Sequence, residues 1–200
     1  MSEAQAPFAP GSILELAQST KKQWELGQVR LIASGTLAQD GTLQPSDIRE
    51  ATWQLSIRSI EKSASFTPAP SAQVFTLIAG DFVQLDVDGQ QHGLEPLRPL
   101  KFETGNSVEA SQPAEELLIV HVAAEPEQVR PTVRIVELSK KREQYLFDGQ
   151  LGVMVQGSAK LLLGDSEQSL NLRDTVVGSD AGEPRISGRG FMAVVSFDQP

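Results

Sequence analysis

The chain has no cysteine, only two histidines and a single tyrosine, and no long apolar run. Without cysteine there is no disulfide, no thiolate nucleophile, no zinc–thiolate site and no iron–sulfur cluster. No stretch approaches the roughly 20 apolar residues that a membrane-spanning helix requires. Basic charge is scarce as well: Lys and Arg number 17 against 26 Asp and Glu, giving a net charge of −9. The longest basic cluster, Lys140-Lys141-Arg142, reads as a solvated turn. A nucleic-acid partner calls for a basic patch, and an anionic membrane surface repels such a chain, so neither is expected as a partner. Met1 to Pro10 shows no basic n-region or apolar h-region, which makes a cytoplasmic location the expectation. The 200 residues are 40% hydrophobic and 22% charged, enough for a sizeable globular core.

What is present is strand-like and repeated. Val74-Phe75-Thr76-Leu77-Ile78-Ala79-Gly80, followed by Phe82 to Gly89 and Leu97-Arg98-Pro99, has a counterpart later in the chain. That counterpart is Leu151-Gly152-Val153-Met154-Val155-Gln156-Gly157, followed by Ala159 to Asp165 and Leu172-Arg173-Asp174. Each reads as a strand, a tight Gly turn and another strand, which argues for two β-barrel-like halves. In Trp53-Gln54-Leu55-Ser56-Ile57-Arg58, alternation sends Trp53, Leu55 and Ile57 one way and Gln54, Ser56 and Arg58 the other. Strands are predicted at 13–17, 29–35, 53–60, 74–79, 82–88, 99–103, 106–111 and 116–123. In the second half they are predicted at 132–138, 144–148, 151–156, 159–163, 168–172, 174–178 and 190–197. Turn signals such as Asp88-Gly89, Thr104-Gly105, Asp148-Gly149 and Gly164-Asp165 recur at the spacing of an all-β barrel or sandwich. Phe66-Thr67-Pro68-Ala69-Pro70 breaks the first ladder, since proline cannot donate to it. No helix-period stretch exceeds about two turns. The expected domains are a flexible arm at 1–11, a first barrel at 12–126 and a smaller second barrel at 127–200.

These segments resemble the HutD/Ves-like family of bicupins, within the RmlC-like cupin superfamily, of which the chain looks like a divergent member. The resemblance rests on Ile13-Leu14-Glu15-Leu16-Ala17 followed by Trp24, on Trp53-Gln54-Leu55-Ser56-Ile57, on Phe66-Thr67, and on Phe75-Thr76-Leu77-Ile78-Ala79-Gly80-Asp81. Leu97-Arg98-Pro99-Leu100-Lys101-Phe102 matches the family's Pro-Phe-x-Phe segment in part. It implies an all-β bicupin of two fused jelly-roll barrels. The family's polar signatures depart here: Glu25 and Leu26 replace Lys-Asn after the first Trp. Leu31, Ile32 and Ala33 stand where a Thr-Arg-Glu stretch is usual, and Glu116-Leu117-Leu118 stands near its Asp-Phe-Asn motif. Polar residues inside a barrel are costly unless paired or used, so these replacements imply a pocket that has changed ligand or closed. The family is linked with histidine utilisation through an intermediate such as formylglutamate.

A cupin metal site requires a His-x-His pair, a Glu and a later His, all at inward strand positions. His92 and His121 lie 29 residues apart, so neither a metal nor another cofactor is expected. His92 reads as an exposed turn residue and His121 as a structural histidine on an apolar strand. Gly157-Ser158-Ala159 is no nucleophile elbow, and Gly188-Arg189-Gly190 precedes a strand rather than a helix. Arg58 either receives a small carboxylate bidentately, fills the vacated pocket beside Glu116, or lies exposed or salt-bridged at a strand end. Arg98 and Arg173 read as outward turn residues. Trp24, Trp53, Phe75 and Phe102 read as core aromatics, with Trp24 also placed to cover a pocket.

The expected ligand site is in the first barrel, at Trp24, Gln54, Ser56, Arg58, Glu116 and His121. The expected function is non-enzymatic binding of a small anionic metabolite, or regulation through it. The alternatives are a metal-independent cupin enzyme of the isomerase or lyase type, and an interaction scaffold with filled barrels. A homodimer is the expected assembly if a sheet face is left apolar.

Overall fold

A computed structural model describes residues 8–68, 71–104 and 107–200. Its strands are β1 (Ile13–Leu14), β2 (Lys21–Trp24), β3 (Gly27–Leu37), β4 (Leu43–Pro45), β5 (Trp53–Ile60), β6 (Ala64–Phe66), β7 (Ser71–Ala79), β8 (Val83–Val87) and β9 (Gln90–Leu94). They continue with β10 (Leu100–Thr104), β11 (Val108–Ala110), β12 (Leu117–Ala124), β13 (Arg130–Leu138), β14 (Gln144–Tyr145), β15 (Gln150–Leu163), β16 (Ser166–Leu170), β17 (Thr175–Val177) and β18 (Arg185–Asp198). A 3₁₀ turn at Leu16–Gln18 is the helical element among the described residues. The fold is all-β, as the turn spacing predicts.

Three sheets build the body. In the central one the order is β10-β7-β12-β5-β3-β2, with β4 on β3; a four-stranded sheet, β6-β11-β8-β9, faces it. The third runs β1-β17-β15-β18-β13, with β14 on β18 and β16 on β15. The central sheet is apolar on both faces because β5, β7 and β12 alternate two sets of buried side chains. One face carries Phe75, Leu77, Leu117, Ile119 and Ile60, which pack with Val83, Leu85, Leu94 and Val108 of the facing sheet to form the first-half interior. Its other face carries Trp53, Leu55, Ile57, Val74, Val120 and Val122. These pack on Leu151, Val153, Val155, Ala193, Val195 and Phe197, joining the two halves. A third cluster, including Leu146, Met154, Leu161, Ile186, Met192 and Val194, fills the second half.

The repeat is real but handled differently in each half. After β7 the chain turns at Gly80 (φ +89) and enters another sheet. At the matching Gly157 (φ +90) the chain does not stop: 151–156 and 159–163 are one strand, β15, paired along its length with β18. A bulge between Met154 and Gln156 inserts one residue. Inward residues shift from Met154 to Ala159 and Leu161, so the pattern breaks where the strand does not. Asp88 (φ +55) and Gly89 (φ +82) close the β8–β9 hairpin as a two-residue turn of the kind this dipeptide favours.

Other expectations are corrected. Of the predicted strand 13–17 only Ile13–Leu14 forms a strand, and it pairs with β17 in the second half's sheet instead of joining the first. The predicted strand 144–148 is confined to Gln144–Tyr145. Gly188-Arg189-Gly190 lies inside β18. The arm expected at 1–11 is outside the described residues over 1–7. From Phe8 onward the chain is docked, with the Phe8 ring 6.3 Å from Trp53 and the Gly11 N–H donating to Val177 O at 3.0 Å. Ala69, Pro70, Gly105 and Asn106, named in the sequence reading, also fall outside the described residues.

Candidate functional site

The register of β5, β12 and β7 lays polar residues side by side on the inward face of the central sheet. Ser56 pairs with His121 and His121 with Phe75; one row along, Gln54 pairs with Ala123 and Ala123 with Gln73. These rows place a hydrogen-bonded track across an otherwise apolar interior. Arg58 Nε donates to Ser56 Oγ at 3.1 Å, and Ser56 Oγ lies 3.3 Å from His121 Nδ1. On its other side His121 Nε2 meets Gln73 Oε1, and Gln73 Nε2 donates to Ser71 Oγ. His121, Ser56 and Gln73 are all buried. The Phe75 ring packs edge-on against the imidazole at 4.9 Å.

The network orders its own protons. Gln73 turns its amide nitrogen to Ser71, which leaves its carbonyl oxygen for His121. Nε2 therefore carries the imidazole proton, and Nδ1 accepts from the Ser56 hydroxyl. A second proton on His121 would leave the Ser56 hydroxyl hydrogen without its acceptor. Burial holds the His121 pKa well below the usual imidazole range, and the nearby Arg58 charge adds to that. The unfolded chain takes up a proton as pH falls below about 6.5 while the native imidazole stays neutral, so stability is present above that pH and is lost as pH falls. Between pH 6.5 and 5.5 this group alone is expected to cost about 1 kcal/mol. Urea melts of wild type and His121→Gln across that interval check it: the wild type's steeper loss belongs to His121, and equal slopes would contradict a neutral imidazole.

Arg58 stands at one end of the track. Its guanidinium lies over the Trp24 ring, 4.9 Å from the centroid. Trp24 is held from β2 by its Nε1–H, which donates to Ser59 O at 2.8 Å, and by an edge contact with Phe66 at 5.4 Å. Burial pulls the Arg58 pKa down to about 10, with Glu25 drawing it back up. Arg58 makes no ion pair among the described residues, whereas Arg49, Arg98, Lys160 and Arg185 each have one. The pairing with Glu116 that the sequence left open is not formed. Glu116 is exposed, and together with Arg58 it lines a cleft of about 520 Å³ between the two halves, which the track reaches at Arg58.

Of the residues named from sequence, the structure brings together Trp24, Ser56, Arg58 and His121. Gln54 lies on the same face, half-buried, its side chain without a hydrogen bond among the described residues. His92 sits in β9, half-buried, and not in an exposed turn. Arg98 is an exposed partner of Glu95. Arg173 is half-buried and lines the cleft instead of pointing outward. Sequence reasoning missed Gln73 and Ser71. The available signal was parity, since Gln73 shares its strand face with Phe75 and Leu77. No group of three or more His, Asp or Glu able to hold a metal occurs among the described residues, and no described helix is long and apolar enough to cross a membrane.

A sequence model of the HutD family matches residues 17–194. The chain belongs to the HutD family. The solved structure of HutD from Pseudomonas fluorescens SBW25, formate condition, is 23% identical, with a TM-score of 0.71 over 94% of this chain and 98% of that one. A conserved protein of unknown function from Pseudomonas aeruginosa PAO1, PA5104, gives 0.77 at 16% identity over 96% and 100%. The cupin fold extends further: a cupin 2 conserved barrel domain protein from Leptotrichia buccalis gives 0.57 at 7% identity over 96% and 98%. No curated protein matches the sequence.

Proposed function

We propose that this member of the HutD family is a non-enzymatic, cytoplasmic protein that binds, or is regulated by, a small carboxylate in its first half. One observation carries this reading: a largely desolvated guanidinium that is stacked and oriented but has no ion-pair partner among the described residues, Glu25 acting on it only at longer range. Trp24 holds one face of Arg58 and Ser56 takes its Nε–H, so the fork of Nη protons is left for a bidentate acceptor. A buried cation without a counter-ion is unfavourable, and a carboxylate ligand removes that cost. Formylglutamate is the first ligand to test, given the family resemblance, with Gln54 as an additional polar contact. Glu116 lies apart from this track and is not needed for the proposal.

The non-enzymatic reading is favoured by the third group behind the histidine. A Ser–His pair primed for nucleophilic catalysis has a carboxylate that stabilises the imidazolium. Here the position is held by the amide of Gln73, and His121 is kept neutral.

A thermal-shift screen of formylglutamate, glutamate, urocanate and histidine tests the proposal. A ligand at 100 times its dissociation constant adds about 2.7 kcal/mol, which is about 5–10 °C for a chain of this size. The expected outcome is a rise of that order that disappears in Arg58→Gln. A flat response from every carboxylate, or a rise that Arg58→Gln keeps, would count against it.

A further inference from the structure

The cleft between the halves carries more positive charge than the chain's composition leads one to expect. Lys21, Arg30, Arg58 and Arg173 all line it, with Glu15, Glu116 and Asp174 as its acids. None of the four cations is ion-paired among the described residues, in a protein of net charge −9. Asp174 is buried and already occupied: its Oδ1 accepts from the Leu16 N–H at 3.1 Å and its Oδ2 from the Asn171 N–H at 3.2 Å. Arg30 Nη1 donates to Leu16 O at 3.3 Å and to Ser19 O at 2.6 Å. Those carbonyls fix the guanidinium in direction and leave its charge uncompensated.

Arg173 adds a different kind of observation. Its backbone sits at φ +72, a conformation that glycine adopts freely and arginine only at a cost. The segment is pinned there, with the Arg173 N–H donating to Met154 O at 2.6 Å and the Met154 N–H to Asp174 O at 2.9 Å. The backbone here suits glycine, yet the residue is an arginine whose side chain lines a cationic cleft. Asp88, Leu97 and Glu183 also sit at positive φ, so it is the place of the Arg173 side chain in the cleft, together with that backbone, that singles it out.

We infer that the cleft between the two halves is a second ligand site, which takes the multiply charged oxyanion group, phosphate or dicarboxylate, of a small molecule on Arg173, Arg30 and Lys21. Arg58 lines this cleft as well, so the site adjoins the first-half track. It goes beyond the carboxylate reading in resting on Arg173, Arg30 and Lys21, none of which hydrogen-bonds to Ser56, His121 or Gln73. Both halves contribute, so the site exists only in the folded pair.

Titration calorimetry of the intact protein tests it, with inorganic phosphate and malonate as separate probes and sodium chloride as the ionic-strength control. Saturable binding of at least one probe is expected, weakened about tenfold or more in Arg173→Gly and to a lesser degree in Lys21→Gln. Arg173→Gly is expected to melt no lower than wild type, which separates lost binding from lost fold. Arg98→Gln, at an exposed cation paired with Glu95 outside the cleft lining, is expected to bind as wild type does. The inference is overturned if neither probe saturates, if Arg173→Gly and Lys21→Gln bind unchanged, or if Arg98→Gln loses as much as Arg173→Gly. Because Arg58 lines the cleft as well, the variants tell the two readings apart. A carboxylate response lost in Arg58→Gln but kept in Arg173→Gly and Lys21→Gln belongs to the first-half track alone, and phosphate binding lost in Arg173→Gly belongs to the cleft.

Discussion

Alanine at Gly157 or at Gly190 is expected to cost about 3 kcal/mol or more, a fall in melting temperature of about 6–12 °C. The two glycines pair across β15 and β18, both at positive φ. A Cβ on Gly157 would lie 2.0 Å from Arg189 O, and one on Gly190 1.9 Å from Gln156 O. Those oxygens belong to backbone and cannot swing aside, so the strands would have to part. The penalty combines the left-handed conformation, about 1–2 kcal/mol per residue, with overpacking of about 1–3 kcal/mol. Gly164→Ala is the control: its φ is +56 but a Cβ there meets nothing within 4 Å, so only the conformational part, about 1 kcal/mol, is expected. Because one parting of the strands relieves both clashes, the double variant should cost less than the sum of the singles. Chemical denaturation of the four variants and the wild type measures this. A Gly157→Ala no worse than Gly164→Ala would disprove the close approach.

Trp53→Ala is expected to cost about 3–5 kcal/mol, the usual range for emptying a buried indole site. Trp53 is fully buried between the halves and packs on Phe197 with ring centroids 4.6 Å apart. Its Nε1–H finds no hydrogen-bond partner among the described residues. A buried donor without an acceptor is itself unfavourable, so Trp53→Phe removes a liability along with some volume and should cost less than half as much as the alanine. The cluster around Trp53 draws on both halves, so each variant should still unfold in one transition. Two separated transitions in Trp53→Ala would mean that the halves are stabilised independently.

Much of the architecture can be read from the residues. The alternation in 53–60 separates a face that joins the halves from a face that lines the first interior, and the structure has both. Turn chemistry at Asp88-Gly89 places a hairpin because that dipeptide suits its two positive φ values. What escapes is whatever depends on distant pairing. β1 crosses to the second half's sheet through a pairing with Val176 and Thr175 that no local pattern encodes. The bulge in β15 shifts the inward phase and makes one strand look like two. Arg58 and His121 could be named from their strand positions, but their link through Ser56, and its continuation to Gln73, depends on the register of three strands. The sequence places Glu116 beside Arg58 in a vacated pocket; both side chains line the cleft between the halves, but they form no ion pair among the described residues.

An anion received by Arg58, which Trp24 and Ser56 hold with His121 behind Ser56, is reported most directly by the side-chain Nε–H resonance of Arg58. In an isotope-labelled sample titrated with formylglutamate, that resonance is expected to be resolved in the free protein, since it is hydrogen-bonded to Ser56. It should shift saturably with ligand and should be assigned by its loss in Arg58→Gln. A formylglutamate titration that leaves it unmoved, while other resonances shift or none do, would contradict the account.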